Sequence, residues 1–438
     1  MQTTFRPRGA QACLLLAGSC MAGLSGAVAA ELDTAFSAGI GRSDNILRTA
    51  EDTIQEGISS LGVELDFSTS GSNGSIVMDA NGDYVSYRDD TFDSEFVGGA
   101  RLLADYVFVE ETFDWDLEYT YGQQVFNPLA PVRPDNREDV RFLTTGPNLQ
   151  FDLGSRFFFG ARADYSSISY ERTPNDNTRT GVTASIGRRL SAGRTLAIVG
   201  DMEQVEFDLE DATSDFDRQS VFLRFESVNS RGSLSASAGV NEIDREGSSE
   251  TQSGTLFQLD WEREVAAGMQ LGLGVGTRLS DQGDIFRFLR NVSIDLRETE
   301  DVVGTTVPFR NDFASATFSI NRERTRASLV ALYSEEDYED DPTLNREVTR
   351  LSLSVLRNLS RKIFGEAGVN VLSREFSGLD RDDRDVRYTL ALGYRITPSI
   401  SARLSFQRFD RSSNQDVTEF DEDRVFLRLT YVPEWNRE

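Results

Sequence analysis

Between Asp385 and Phe409 the chain reads DVRYTLALGYRITPSISARLSFQRF, and bulky apolar side chains take turns with small or polar ones along it. Val386, Tyr388, Leu390, Leu392, Tyr394 and Ile396 hold every second position, with Arg387, Thr389, Ala391, Gly393 and Arg395 between them. This is period two, which marks a strand with one apolar face, because successive side chains of an extended backbone point to opposite sides. After Thr397-Pro398, where proline has no N–H to give to a ladder, Ile400, Ala402, Leu404 and Phe406 alternate with Ser401, Arg403, Ser405 and Gln407. The unit is a hairpin with arms of about ten residues, enough for a tilted strand to cross the hydrocarbon layer, whereas strands of soluble sandwiches usually have about five or six.

The same pattern recurs from Leu32 onward. Leu32 to Ile40, Leu61 to Phe67, Ile76 to Tyr87 and Phe96 to Phe108 form the first four predicted strands. In the next, Phe113, Trp115, Leu117, Tyr119 and Tyr121 face one way and Asp114, Asp116 and Glu118 the other. An unpaired charge in an apolar core costs several kcal/mol, so the acidic face must meet water or arginines, and a wet lumen supplies both. Further strands flank Gly154-Ser155, Ser191-Ala192-Gly193, Asn229 to Gly232, Val265 to Gly268, Arg322 to Arg324 and Asn358 to Ser360, and Val425 to Tyr431 closes the series. The prediction is an all-β fold: a single antiparallel transmembrane β-barrel of about twenty strands, with short periplasmic turns and long extracellular loops. Eighteen is the alternative, because Asn81-Gly82 inside Ile76–Tyr87 is a hairpin signal. The longest insertion, Ser280 to Arg310, carries weak strand-like patches such as Val292-Ser293-Ile294 and is expected to fold into the pore mouth.

Composition modifies this picture in three ways. The mean hydropathy of -0.38 looks soluble, as it does for any barrel in which only half of each strand meets lipid. Arg6 and Arg8, an apolar run through Leu14 to Leu16, and Ala27-Val28-Ala29-Ala30 read as a secretory signal over residues 1–30, leaving 31–438 as the barrel. The rival is a lipoprotein signal acylated at Cys20, although alanine stands three places before that cysteine and apolar sequence continues past it. Cys13 and Cys20 both lie in this leader and there is no histidine, which excludes thiolate and imidazole ligands and every Ser-His or Cys-His device from the mature chain. No catalytic, cofactor or metal-ligating residue is nominated, and the expectation is a protein that is not an enzyme.

The candidate functional residues are those of the polar face: Asp105, Asp114, Asp116, Glu118, Arg162, Asp164, Arg224, Glu226, Asp260, Glu262, Arg387, Arg395, Arg403 and Arg428. Either they form a pore lining that sorts solutes by charge, or they pair across strands and hold the wall. The acids near Asp116 and the arginines of the last strands suggest a field across the lumen. Acidic runs at Glu335–Asp341, Asp380–Asp385 and Asp416–Asp423 read as solvated loops, with divalent cations shared with lipopolysaccharide phosphates as the other reading. With a net charge of -27, nucleic acid is not expected as a partner. Trp115, Tyr119, Tyr121, Tyr388, Tyr394 and Tyr431 suit an interfacial girdle or, less commonly, stacking on sugars.

Ser43-Asp44-Asn45-Ile46 with Asp52-Thr53-Ile54, and Arg411-Ser412-Ser413-Asn414 with Phe420 and Val425 to Tyr431, resemble the putative β-barrel porin 2 family. The resemblance implies an outer-membrane protein of a Gram-negative bacterium, of a kind associated with exopolysaccharide loci and the PEP-CTERM system, and a passive role in exporting a surface polysaccharide. A general small-solute porin and a non-conducting scaffold for surface polymer are the alternatives. The implied partners are outer-membrane lipid and lipopolysaccharide, the barrel assembly machinery and polysaccharide export components. The family commonly ends on an aromatic residue, and here Trp435 is followed by Asn436-Arg437-Glu438.

Overall fold

The computed structural model describes residues 29–209, 214–246, 251–292, 295–297 and 299–434. The leader before Ala29, the patch residues Ser293 and Ile294, and the end from Trp435 lie outside the described residues. The wall opens with β1 (Ala29–Ser43), β2 (Glu56–Gly71), β3 (Gly74–Tyr87), β4 (Glu95–Val109), β5 (Phe113–Val125), β6 (Arg137–Leu153) and β7 (Phe157–Tyr170). It continues through β8 (Asn177–Ser191), β9 (Arg194–Phe207), β10 (Phe216–Asn229), β11 (Gly232–Arg245), β12 (Gln252–Ala266) and β13 (Met269–Ser280). An insert carrying helix α1 (Gln282–Val292) and the two-residue β14 (Thr299–Glu300) interrupts it. The wall resumes as β15 (Phe309–Arg322), β16 (Thr325–Asp337), β17 (Arg346–Asn358), β18 (Ile363–Phe376), β19 (Arg381–Arg395), β20 (Ile400–Ser413) and β21 (Phe420–Tyr431).

Each wall strand pairs antiparallel with the next, β13 pairs directly with β15, and β21 returns to β1 from Phe36↔Tyr431 to Ser43↔Arg424. The result is a closed barrel of twenty strands with β14 outside the wall. Closure matters physically: an open edge inside hydrocarbon would leave backbone donors and acceptors without partners. Asn81-Gly82 stays extended inside β3, paired on one side with Glu64 and Val63 and on the other with Gly99 and Gly98, so the eighteen-strand alternative is excluded. The turn is supplied instead between Gly71 and Gly74, where Gly74 has φ +147°.

Alternation sets the two faces as the sequence predicts. Leu390 and Leu392 are 60% and 59% exposed in the isolated chain, as side chains that face acyl chains must be. Trp115, Tyr388, Tyr394 and Tyr431 share that outer face, where they suit a girdle and cannot stack on a solute in the bore.

Two expectations need correction. The strands run 12 to 17 residues, longer than the apolar alternation shows, so several connections on the long-loop side are short, as between Phe376 and Arg381. Backbone pairing continues past the apolar belt into a charged rim, where Asp312, Glu335, Glu347, Glu375 and Asp382 stand opposite one another on five successive strands. The acidic runs are therefore partly strand, not simply solvated loop. Their alternate residues Glu336, Asp383 and Glu422 are buried on the inner face and bind arginine. Second, the end of the expected strand-like patch, Val292, is the last residue of a helix.

Candidate functional site

The insert between β13 and β15 enters the bore. Asp281 starts α1: its Oδ1 accepts from the Gly283 N–H at 2.9 Å and the Asp284 N–H at 3.3 Å, capping two otherwise unpaired donors. Ile285, Phe286 and Leu289 then fall on one helical face. That face packs on the inner wall at Val140, Phe142, Ile168 and Tyr170, with Val302, Phe309 and Tyr338 completing the cluster. Phe286 is fully buried, and burying one such side chain contributes about 1.5–3 kcal/mol. Beyond the helix, β14 lies parallel to β5 at Gln123 and Gln124, past the last β4–β5 register pair, Ala100↔Tyr121.

Charge fastens the insert in three sectors of the wall. On β8 and β10, Arg179 holds Asp281 through two bonds of 2.6 and 3.0 Å, and Arg218 meets Asp284 at 2.7 Å. On β17 and β18, Asp301 is shared by Arg346 and Arg374, each at 2.6 Å, while Arg350 meets Glu300 at 2.9 Å. On β2, β3 and β5, Arg297 reaches Glu64 at 2.9 Å and Asp83 at 2.8 Å, and Arg287 donates to Glu118 at 3.0 Å. The last sector also has a socket. Arg290, 2% exposed, lies over Gly99 and Gly122, and a Cβ at Gly122 would sit 2.6 Å from its Nε.

The carboxylates of the insert respond to these surroundings. Burial by itself would push the Asp301 carboxyl up, but Arg374 and Arg346 outweigh it and bring it down to about 2. Asp284 is likewise desolvated, and Arg218, Arg278 and Arg179 hold it well below the usual carboxylate range. Both therefore stay ionised at neutral pH as the counterions of wall guanidiniums.

Toward the short turns lies a chamber of about 460 Å³. Glu64, Asp66, Asp79 and Asn81 line one side, Arg326, Ser328, Ser354 and Glu366 the other, and Asp295 to Arg297 of the insert complete its lining.

All fourteen nominated residues sit on the inner face, with differing engagements. Asp116 bonds Arg162 at 3.0 Å and Asn148 at 2.6 Å, and Asn148 also reaches Asp114 at 2.7 Å. Arg162 lies 3.6 Å from Asp164, Arg403 pairs with Glu366 at 2.9 Å, and Arg428 pairs with Asp83 at 3.1 Å. Arg395 donates to Asn358 at 2.7 Å, Thr195 donates to Glu226 at 3.4 Å, Gln258 donates to Asp260 at 2.7 Å, and Asp105 accepts from Ser75. Arg224 lies over the Phe222 ring, and Glu262 and Arg387 face the bore opposite Gly272 and Asn370. The cross-strand reading thus describes several of these groups, among them Asp116, Arg162, Arg403 and Arg428. The field across the lumen is corrected: β21 closes on β1, so the arginine sector of β19–β21 borders the acidic sector of β1–β5 and does not oppose it. The anchors Arg179, Arg218, Arg346, Arg350 and Arg374 were not foreseen. They continue the inward period of their strands past the point where apolar alternation stops, and that continued parity is the signal that would have found them.

No curated protein sequence matches this chain. Among solved structures, it is similar to the FrpB iron transporter from Neisseria meningitidis at 8% identity, covering 95% of this chain and 83% of the other with a TM-score of 0.46. It is similar to the copper transporter OprC at 12% identity, with coverages of 92% and 81% and a TM-score of 0.40. For OccK2 (OpdF) from Pseudomonas aeruginosa the identity is 11%, the coverages are 92% and 98%, and the TM-score is 0.36. From within β15 to just past β21, residues 316–432 match the family model described as putative beta-barrel porin 2, and with the closed wall this makes the chain a porin-like β-barrel of outer-membrane type.

Proposed function

We propose that this chain is a passive, non-enzymatic channel for small solutes in the outer membrane of a Gram-negative bacterium. The observation that carries this reading is the insert, fastened to the wall in three sectors of the bore. Barrels of 16 to 18 strands already leave an aqueous channel, so a twenty-strand wall has room to admit an insert and still pass small molecules around it. Lipid and lipopolysaccharide surround the apolar belt, and the barrel assembly machinery would place the chain there. The test is planar-bilayer recording of the purified protein beside a variant in which residues 282–307 are replaced by a short Gly-Ser turn. The expected result is a small unitary conductance that rises several-fold in the variant. Silence from both proteins would overturn the reading in favour of a non-conducting scaffold, and an equal large conductance from both would show that the insert does not restrict the bore.

A second reading, export of a surface exopolysaccharide in a PEP-CTERM-associated setting with export components as partners, is favoured by one observation. β13 and β15 pair from Met269↔Ile320 to Ser280↔Phe309, so the wall stays closed whether or not the insert occupies the lumen. A polymer would then pass once the insert is displaced. Gene deletion that stops polymer secretion while leaving small-solute permeability unchanged would select this reading over the first.

A further inference from the structure

The chamber beneath the insert contains charges of both signs, and most are already engaged. Glu64 is held by Arg297 at 2.9 Å, Asp79 by Arg101 at 3.1 Å and Glu366 by Arg403 at 2.9 Å. Asp295 lies 3.5 Å from Arg297. Two lining charges make no ion pair or side-chain hydrogen bond among the described residues: Asp66 on β2 and Arg326 on β16. They are of opposite sign and line opposite sides of one cavity. Asp66 is flanked by Asp33 and Asp79, directly opposite it on the neighbouring strands. Like charges in that position repel, so the site is improved by a cation from outside. Beside it, Asn81 has a buried side-chain oxygen with no donor. Around Arg326 stand the hydroxyls of Ser328 and Ser354, themselves opposite one another on β16 and β17.

We propose that this chamber is a binding site for a small dipolar solute whose cationic and anionic ends are separated, such as a short peptide with free termini. The ammonium faces Asp66 and Asn81, and the carboxylate faces Arg326, Ser328 and Ser354. A simple cation would meet the guanidinium and a simple anion the row of carboxylates, so only a solute carrying both ends satisfies both walls. The volume of about 460 Å³ falls within the range of small-molecule sites, about 300–1,000 Å³. Asp295 to Arg297 border the chamber on the insert side, so a solute held there lies against the insert.

The inference rests on the small-solute reading above and is tested so that the two can fail separately. Zwitterionic triglycine is added to single channels carrying potassium current, with N-acetyl-triglycine amide as the uncharged control. Triglycine should interrupt the current about tenfold more often than the capped peptide, the ratio expected for one modest charge interaction. Asp66→Asn and Arg326→Gln should each remove most of that difference. The double exchange Asp66→Arg with Arg326→Asp should restore it, since a dipolar solute can bind reversed. Equal blocking by both peptides, or a difference insensitive to both single substitutions, overturns the proposal while leaving the channel intact. If the protein carries no current, calorimetry of detergent-solubilised protein with the same two peptides decides the site directly: heat of binding with triglycine alone supports it, and none with either refutes it.

Discussion

Replacing Asp301 by asparagine removes the carboxylate that Arg346 and Arg374 share and so weakens the seat of the insert on β17 and β18. The size of the effect follows from the ionisation of that carboxyl. Its two arginines lower it from 3.8 to about 2 against the opposing push of burial. A shift of that size in a fully buried group corresponds to about 2 kcal/mol, on the order of thirtyfold in the ratio of seated to released insert. Truncating one partner of a buried pair can cost about 3–5 kcal/mol. Here Arg346 keeps Glu336 at 2.8 Å and Arg374 keeps Asp385, which places the asparagine variant toward the lower of those figures. The sign with pH follows from the lowered carboxyl. Its contribution is fully present above about pH 4 and is lost as pH falls toward and through 2, because protonation then favours the released state. In planar bilayers Asp301→Asn should show frequent large-conductance bursts at pH 7, where the unsubstituted protein shows few. Between pH 4 and 2 the unsubstituted protein should move toward that behaviour and the variant should change less. Heat-modifiable electrophoretic mobility checks that the variant barrel is folded. A folded variant whose current and pH dependence match the parent would refute the assignment of Asp301 as an anchor.

Four other outcomes test separate parts of the argument. Gly122→Ala places a methyl group 2.6–2.7 Å from the Arg290 guanidinium, an overpacking of about 1–3 kcal/mol, and should raise conductance, as should Arg290→Ala. Phe286→Ala, at a fully buried position, should loosen the insert by about 3–5 kcal/mol, read as faster proteolysis within residues 282–307 while the barrel keeps its heat-modifiable mobility. Leu390→Arg places a charge on the lipid face and should cost about 2–4 kcal/mol at mid-depth, measured as a lower urea midpoint of the folded barrel in lipid vesicles. Glu118→Gln acts on a partly buried pair with Arg287, more open to solvent than Asp301 and its arginines, so conductance should change less than for Asp301→Asn.

The wall was legible residue by residue because its rule is local. A side chain at position i faces lipid or the bore according to parity alone, so Leu390 against Arg387, or Trp115 against Asp116, could be sorted before any contact was known. The same rule left twenty strands or eighteen, and the pairing of Asn81-Gly82 with neighbours on both sides decided for twenty. The charged rim was not legible as strand. Beyond the hydrocarbon, outward positions such as Glu347 and Glu375 carry no apolar signal, and only pairing with neighbours keeps the backbone extended there.

What the sequence by itself determined is the barrel: about twenty alternating segments, an apolar outer skin, a charged bore and a long interruption after Ser280. What only the tertiary structure decided is where that interruption goes and which charges it uses. Asp301 meets Arg346 and Arg374 across 45 and 73 residues of chain, and Arg297 meets Glu64 across 233. No periodicity spans such distances. Closure of β21 onto β1 sets these groups around a common bore, and burial there leaves a guanidinium few alternatives to the nearest carboxylate.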